Sequence, residues 1–284
     1  MKKFLFLHLI LIVFIGNVFA QEKYAIARIW TPVLNTDDFE SVFGGNSGKK
    51  VKLDGKGLIR EMEFIAFPNT VFEINSVIPK DGYEIYEVTT EDYPYTSSKL
   101  YIDSRFVNLT DTKISDREKL LPQKEIILEN LKLLEGYPYM WGGNVADGIS
   151  EMIEYYTPKG KLSERTEELW KLKGVDCSGL IYQATNGNTP RNTSSLVNFG
   201  NPVEIKGLKA SEIAAKLQPL DLIVWAGHVV IVLDENTVIE STPERGVNKS
   251  DLVSRLKSVM SERTAVDDWG STSGKRFVIR RWVE

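Results

Sequence analysis

Gly174-Val175-Asp176-Cys177-Ser178-Gly179-Leu180-Ile181-Tyr182-Gln183 reads as a short polar turn opening a helix, with Asp176 or Cys177 near its cap. A thiol at a helix N-terminus meets unsatisfied N–H groups and the positive end of the helix dipole, which favour thiolate. Thiolate is a nucleophile, so the position suits acyl transfer. A cysteine at a helix start is also an ordinary core residue, and these ten residues leave both readings open. Downstream, the stretch from Pro219 to Leu233 reads as two β segments parted by a tight Ala226-Gly227 turn. A third strand is expected over Asn236–Ser241, after the turn Asp234-Glu235-Asn236. His228 opens the middle segment, where an imidazole can reach a helix packed across the sheet.

The residue counts narrow the chemistry. The 284 residues include one cysteine and two histidines, and His8 lies in a leader-like segment. A lone cysteine forms no intramolecular disulfide and no thiol-rich zinc site, and one remaining imidazole excludes most histidine metal sites. No metal and no cofactor is expected. With 42% hydrophobic and 26% charged residues the composition is globular, which excludes disordered, collagen-like and multi-span membrane chains.

Lys2 and Lys3, the apolar run Phe4–Ile15 and the small-residue approach to Ala20 have the layout of a secretory signal peptide. The run is too short to span a bilayer, which takes about 20 residues. No cysteine follows the cleavage site to carry a lipid, so no stable membrane insertion is expected after cleavage. Cleavage after Ala20 removes two lysines and no acids, moving the formal net charge from −4 to −6. A mildly acidic exported chain, periplasmic or extracellular, lacks the basic footprint of a nucleic-acid binder. A lone thiol sent to an oxidising compartment needs a reason, because structural cysteines there are paired.

Composition divides the remainder in two. Residues 21–112 read as short β segments at Tyr24–Trp30, Gly57–Phe67, Val71–Ile78, Tyr83–Thr89 and Lys99–Phe106, with turn clusters between, the pattern of a small barrel or sandwich. Residues 113–122 are a polar linker. A helix is expected over Lys124–Leu134, where Ile127, Leu128, Leu131 and Leu134 fall at helical spacing and Gly136 stops it. Residues 144–173 are rich in charge, with a helix near Ser163–Leu172 entered through Ser163. That segment reads either as a solvated surface helix or as a lid over a cleft.

Tyr139-Met140-Trp141-Gly142-Gly143, Asp176-Cys177-Ser178-Gly179, Thr189-Pro190-Arg191, Leu220-Asp221-Leu222-Ile223 and Gly227-His228-Val229 occur in that order. The series resembles the NlpC-type family of bacterial cell-wall cysteine peptidases, from about Gln123 into the C-terminal tail. The resemblance implies an α+β fold, a papain-like catalytic domain with helices packed on an antiparallel sheet, over residues 123–284. The preceding β region resembles, more diffusely, the bacterial SH3-like modules that accompany such domains.

By that resemblance Cys177 is the nucleophile and His228 its general base, then general acid for the leaving amine. The family places a third polar residue, often histidine, on the next strand; counting forward, that position holds Glu240. A carboxylate there fixes the imidazole tautomer and favours imidazolium. Tyr139 is implied near the thiol, where its hydroxyl joins the Cys177 N–H as an oxyanion donor. Asp176 is either a helix cap or the partner of a free amino group on a peptide substrate; Ser178 and Trp141 are placed beside the substrate, Trp141 equally as core. Asp221 and Arg191 read as structural, a turn residue and a loop charge.

The implied function is a secreted cysteine endopeptidase acting on peptidoglycan stem peptides or muropeptides, at the bond between the γ-carboxyl of D-glutamate and a diamino acid. If the N-terminal module narrows the cleft, released peptides with a free N-terminal L-alanine are preferred over intact wall. Two alternatives stand beside it: an amidase or acyltransferase using the same Cys–His pair, and a non-catalytic cell-wall-binding protein.

Overall fold

A computed structural model describes residues 23–94, 98–271 and 273–283. The leader assigned to residues 1–20 lies outside the described residues. No helix among those described is long and apolar enough to cross a membrane.

The N-terminal region opens with β1 (Tyr24–Ala27) and β2 (Thr31–Leu34), followed by the one-turn helix α1 (Phe39–Val42) and the short ribbon β3 (Phe43–Gly44) and β4 (Lys50–Val51). β5 (Met62–Ala66), β6 (Val71–Pro79), β7 (Glu84–Thr89), β8 (Leu100–Asp103) and β9 (Val107–Thr110) complete it. Seven of these form one antiparallel sheet in the order β5-β2-β8-β7-β6-β1-β9. The β6–β7 hairpin turns at Asp81-Gly82, where Lys80 N–H donates to Tyr83 O at 2.9 Å and Gly82 takes φ 83°. β5 is shorter than the expected Gly57–Phe67. The Asp54 carboxylate accepts from Lys56 N (2.7 Å) and Leu58 N (3.0 Å), which holds the chain in a turn until Met62. The expected strand Tyr24–Trp30 likewise ends at Ala27.

After the linker come α2 (Lys124–Leu133), β10 (Asn144–Val145), α3 (Glu151–Tyr155), α4 (Glu164–Trp170) and β11 (Gly174–Val175). The cysteine helix α5 (Cys177–Ala184), α6 (Thr193–Leu196), β12 (Asn201–Pro202) and α7 (Ala210–Ala214) follow. The chain closes with β13 (Leu222–Trp225), β14 (His228–Val232), β15 (Thr237–Thr242), β16 (Gly246–Asp251), α8 (Leu252–Glu262), β17 (Thr264–Ala265) and β18 (Arg276–Arg281). The second sheet runs β12-β18-β13-β14-β15-β16, antiparallel throughout, with β17 added parallel to β18. The expected mixture of helices with antiparallel sheet is what forms.

Alternation along these strands sends residues to two layers. Val224, Val229, Ile231 and Ile239 pack with Leu180 and Ile181 of α5. Val230, Val232 and Val238 pack with Leu252, Leu256 and Val259 of α8. The sheet is thus buried on both faces, and each such aliphatic side chain contributes about 1.5–3 kcal/mol of burial.

Residues 144–173 carry a surface helix with one solvated face and one buried face, rather than a free flap. Ser163 caps α4 as expected, its Oγ accepting from Thr166 N at 3.2 Å. Glu164 and Glu167 are exposed, but Trp170, Met152 and Ile149 are buried in the same core as Phe64, Phe72 and Ile102 of the N-terminal sheet. Tyr156 Oη donates to Asp103 at 2.5 Å and Trp170 Nε1 to Tyr156 O at 2.8 Å, so the segment is fastened to β8. The linker is pinned too: Arg117 Nη1 reaches Asn186 O at 3.2 Å and its guanidinium lies 4.8 Å above the Phe67 ring.

Candidate active site

Asp176 is the N-cap of α5. Its Oδ1 accepts from Gly179 N at 2.6 Å and from Ser178 Oγ at 3.2 Å, and its Oδ2 from Gly142 N at 3.1 Å. Cys177 is therefore the first helical residue, and its own N–H lies outside the intrahelical ladder. The Gly142-Gly143 pair has a steric reason. A Cβ on Gly179 would overlap Gly143 O, and Gly142 sits at φ 71° with a would-be Cβ 2.8 Å from Met62 O. The backbone of residues 142–143 is thus pressed between the cysteine helix and β5.

Arg191, which the sequence presented as a loop charge, is 1% exposed. Its Nη1 meets Asp176 Oδ1 (2.9 Å) and Ser178 Oγ (2.9 Å), and its Nη2 meets Asp176 Oδ2 (2.8 Å) and Gly143 O (3.1 Å). The Nε donates to Asn144 Oδ1 at 3.2 Å, which uses the guanidinium's full donor set. Asn144 in turn pairs with the Ile65 backbone, accepting from its N at 2.9 Å and donating to its O at 2.8 Å. Of the two readings of Asp176, the cap is present, and Arg191 already balances its charge. Asp221 is buried at a turn and pairs with Arg281 (2.9 and 2.6 Å).

His228 begins β14 after the Ala226-Gly227 turn, which is anchored where Gly227 N donates to Thr193 Oγ1 at 3.0 Å. Its Nε2 lies 2.6 Å from Glu240 Oε2, and Cys177 is the other group that acts on the ring. With Nε2 engaged by the carboxylate, Nδ1 is the nitrogen left for the sulfur. Glu240, on β15, is fully buried and is held on its other side by Arg255. The indole of Trp225 contacts the imidazole with ring centroids 5.1 Å apart.

Burial alone would lower the imidazole pKa and is the largest influence on it. Hydrogen bonds to Cys177 and Glu240, with the charges of both, outweigh it and raise His228 from 6.5 to about 9. For Glu240 burial is again the largest influence and would raise the carboxyl. Hydrogen bonds from His228 and Arg255 and their charges reverse this, from 4.5 to about 2. The site therefore holds an imidazolium–carboxylate pair at neutral pH.

Cys177 lines a cleft of about 290 Å³ whose walls come from both halves of the chain. Tyr139, Trp141, Asp176 and Ser178 line one side; Arg60, Met62, Glu63 and Tyr93 of the N-terminal region line the other. Trp141 carries the Arg60 guanidinium 4.1 Å above its ring. Burial and the neighbouring Asp176 and Cys177 push the Tyr139 phenol well above the usual range, so it stays a donor. Glu63 accepts from Asn35 Nδ2 (2.8 Å) and Tyr93 Oη (2.9 Å), and Asn192 Nδ2 donates to the same phenol at 3.1 Å. No lysine or arginine among the described residues bridges Glu63. Glu63, Tyr93 and Asn192 carried no signal in the sequence, being remote from the cysteine along the chain. Arg255 was hidden in a polar stretch. No group of three or more potential metal ligands occurs among the described residues.

Residues 136–267 match the model of the NlpC/P60 family, a family of cell-wall peptidases. No curated protein matches the chain. Among solved structures the chain is similar to an NlpC/P60 family protein from Bacillus cereus ATCC 10987, at 18% identity and a TM-score of 0.35, covering 93% of this chain and 64% of that one. It is similar also to NlpC2 from Trichomonas vaginalis (14% identity, 91% and 72% covered, TM-score 0.31) and to NlpC1 from the same organism (12% identity, 94% and 95% covered, TM-score 0.33). The chain thus spans 64% of the length of the Bacillus cereus protein. Residues 136–267, the span that holds Cys177 and His228, are thus the part of this chain that carries the NlpC/P60 family match.

Proposed function

We propose that the protein is an exported cysteine endopeptidase that cleaves peptidoglycan stem peptides between the γ-carboxyl of D-glutamate and a diamino acid. The observation that carries this reading is His228, held by Glu240 on one nitrogen at 2.6 Å and acted on by Cys177, which lines a cleft. The sulfur attacks the scissile carbonyl carbon, and the Cys177 N–H and Tyr139 hydroxyl receive the developing oxyanion. The tetrahedral intermediate collapses as imidazolium protonates the leaving amine, leaving a thioester on Cys177. His228 then takes a proton from water as hydroxide adds to the thioester carbonyl; the adduct breaks its C–S bond, releasing the acid product, and the proton returns from imidazolium to the Cys177 sulfur.

The N-terminal wall bears on substrate choice. Glu63 presents a carboxylate whose partners are neutral donors, in a cleft narrowed by Tyr93 and Asn192. Such a group suits a free ammonium, which favours short released peptides with an N-terminal L-alanine over intact wall. The antiparallel sheet carrying His228 against the cysteine helix supports the papain-like reading, and the N-terminal antiparallel sheet supports the SH3-like one. The leader-like residues 1–20 support export to where the substrate lies.

Mass spectrometry of the tripeptide L-Ala-γ-D-Glu-diaminopimelate tests the reading. Wild type is expected to release L-Ala-D-Glu and Cys177→Ala to release none. Equal cleavage by both would sink the nucleophile assignment.

A further inference from the structure

Arg255 projects from α8, on the face of the sheet opposite the cysteine helix. Its Nε donates to Glu240 Oε1 at 2.7 Å and its Nη2 to Glu240 Oε2 at 2.8 Å. Oε2 is also the oxygen that meets His228 Nε2 at 2.6 Å. Glu240 has no exposed surface, so water supplies none of its solvation. A buried carboxylate with a single partner protonates or turns away; the guanidinium fork occupies both oxygens and leaves the lone pair on Oε2 aimed at the ring.

We propose that Arg255 is a positioning residue for the reaction: it fixes Glu240 on His228, so that Cys177, His228, Glu240 and Arg255 act as one relay running from the helix on one side of the sheet to the helix on the other. This rests on the reading of Cys177 and His228 as nucleophile and base. It also accounts for the acidic third member. A histidine at position 240 would be neutral when unpaired and would need no counter-ion; a buried glutamate needs one, and α8 supplies it.

The groups around the relay are few. Cys177 faces it from α5, with Asp176 beside it already paired to Arg191. Tyr139 stands near the sulfur, and Asn248 of β16 offers Nδ2 to the Glu240 carbonyl at 3.5 Å. Trp225 of β13 covers the imidazole, and Arg263 lies 4.5 Å over that indole. Arg255 is the cation that reaches the Glu240 side chain.

Cys177 is the chain's only thiol. Its alkylation by iodoacetamide across pH therefore reports the relay in the full chain without any peptidoglycan substrate. In Arg255→Met the acid limb of the rate profile is expected to move up by about one pH unit, because Glu240 then protonates more readily. Arg255→Lys, which restores charge without the fork, is expected to lie between. On a Glu240→Gln background Arg255→Met is expected to move the limb no further. Lys257→Met, exposed on the same helix, is expected to track wild type. Superimposable profiles for wild type and Arg255→Met, or the same displacement in both backgrounds, overturn the proposal. If Arg255→Met does not fold, Arg255→Lys carries the test, and a wild-type profile for it is the overturning result. A profile changed by His228→Ala but not by the Arg255 variants sinks the proposal alone. One unchanged by His228→Ala sinks the nucleophile–base reading with it.

Discussion

Arg191 grips Asp176 through two parallel bonds, Nη1 to Oδ1 at 2.9 Å and Nη2 to Oδ2 at 2.8 Å, with Arg191 almost wholly buried. Asp176 is at once the cap of the cysteine helix and the anchor of Gly142 N, so this pair sets where the sulfur stands.

Breaking that pair from one side strands a buried charge. Arg191→Met is expected to lower unfolding free energy by about 3–5 kcal/mol in urea denaturation. Arg191→Lys is expected to recover little, because a single ammonium cannot span both carboxylate oxygens and Asn144 together. A loss within experimental error for Arg191→Met would refute the structural weight placed on the pair.

The His228–Glu240 pair gives stability a defined pH window. The folded pKa of His228 lies above its ordinary value, so its contribution is complete below about 6.5 and lost as pH rises through about 9. That of Glu240 is depressed, so its contribution is present above about 4.5 and lost as pH falls through about 2. The two shifts share the His228–Glu240 contact, to which Cys177 adds on the imidazole and Arg255 on the carboxylate, and the imidazole's shift corresponds to about 3 kcal/mol. Wild-type stability should fall by about that amount between pH 6.5 and 9, and this slope should vanish in His228→Ala. Parallel stability curves for the two proteins would contradict the assignment.

On the proposed function, binding of a free amine by Glu63 is separable from chemistry at Cys177. Glu63→Gln keeps the shape of the cleft and removes its charge. It is expected to lower kcat/KM on the free tripeptide by about 10- to 100-fold, mainly through KM. The N-acetylated tripeptide should be a poor substrate for both proteins, with no further loss in the variant. An equal loss on both substrates would remove Glu63 from amine recognition.

Gly179 is held against Gly143 O by the close approach of the helix start to the residue 142–143 loop. Gly179→Ala forces backbone against backbone and is expected to cost about 1–3 kcal/mol, or more if the helix start cannot shift. Thermal unfolding measures it. A melting temperature equal to wild type would show that the loop yields freely.

The sequence showed the chemistry more clearly than its supports. Cys177 and His228 are the sole thiol and, outside the leader-like segment, the sole imidazole, so scarcity marked them. Glu240 was reached through the family resemblance, by counting forward to the strand after that of His228. The supports were illegible for identifiable reasons. Arg191 follows an irregular loop, where spacing says nothing of burial, and its five bonds exist only once residues 143–144 and 176–178 converge. β16 reads Gly-Val-Asn-Lys-Ser-Asp, polar because it is the last strand on its side of the sheet, and it concealed the start of α8 and with it Arg255. The charges of residues 144–173 face water and masked an inward stripe of Ile149, Met152 and Trp170. Tertiary contact, rather than local pattern, decides each of these.

Asn144 joins both its amide atoms to the backbone of Ile65, as a neighbouring strand would, while it also receives Arg191. That one side chain stitches the N-terminal sheet to the start of the cysteine helix. The two halves are consequently not interchangeable parts. A fragment beginning at the linker would lay Met140, Ile149, Met152 and Trp170 open to water, release the brace behind Asp176 and lose the wall that carries Glu63. Any grafting of residues 123–284 onto another module has to carry the N-terminal sheet along as a wall of the Cys177 cleft.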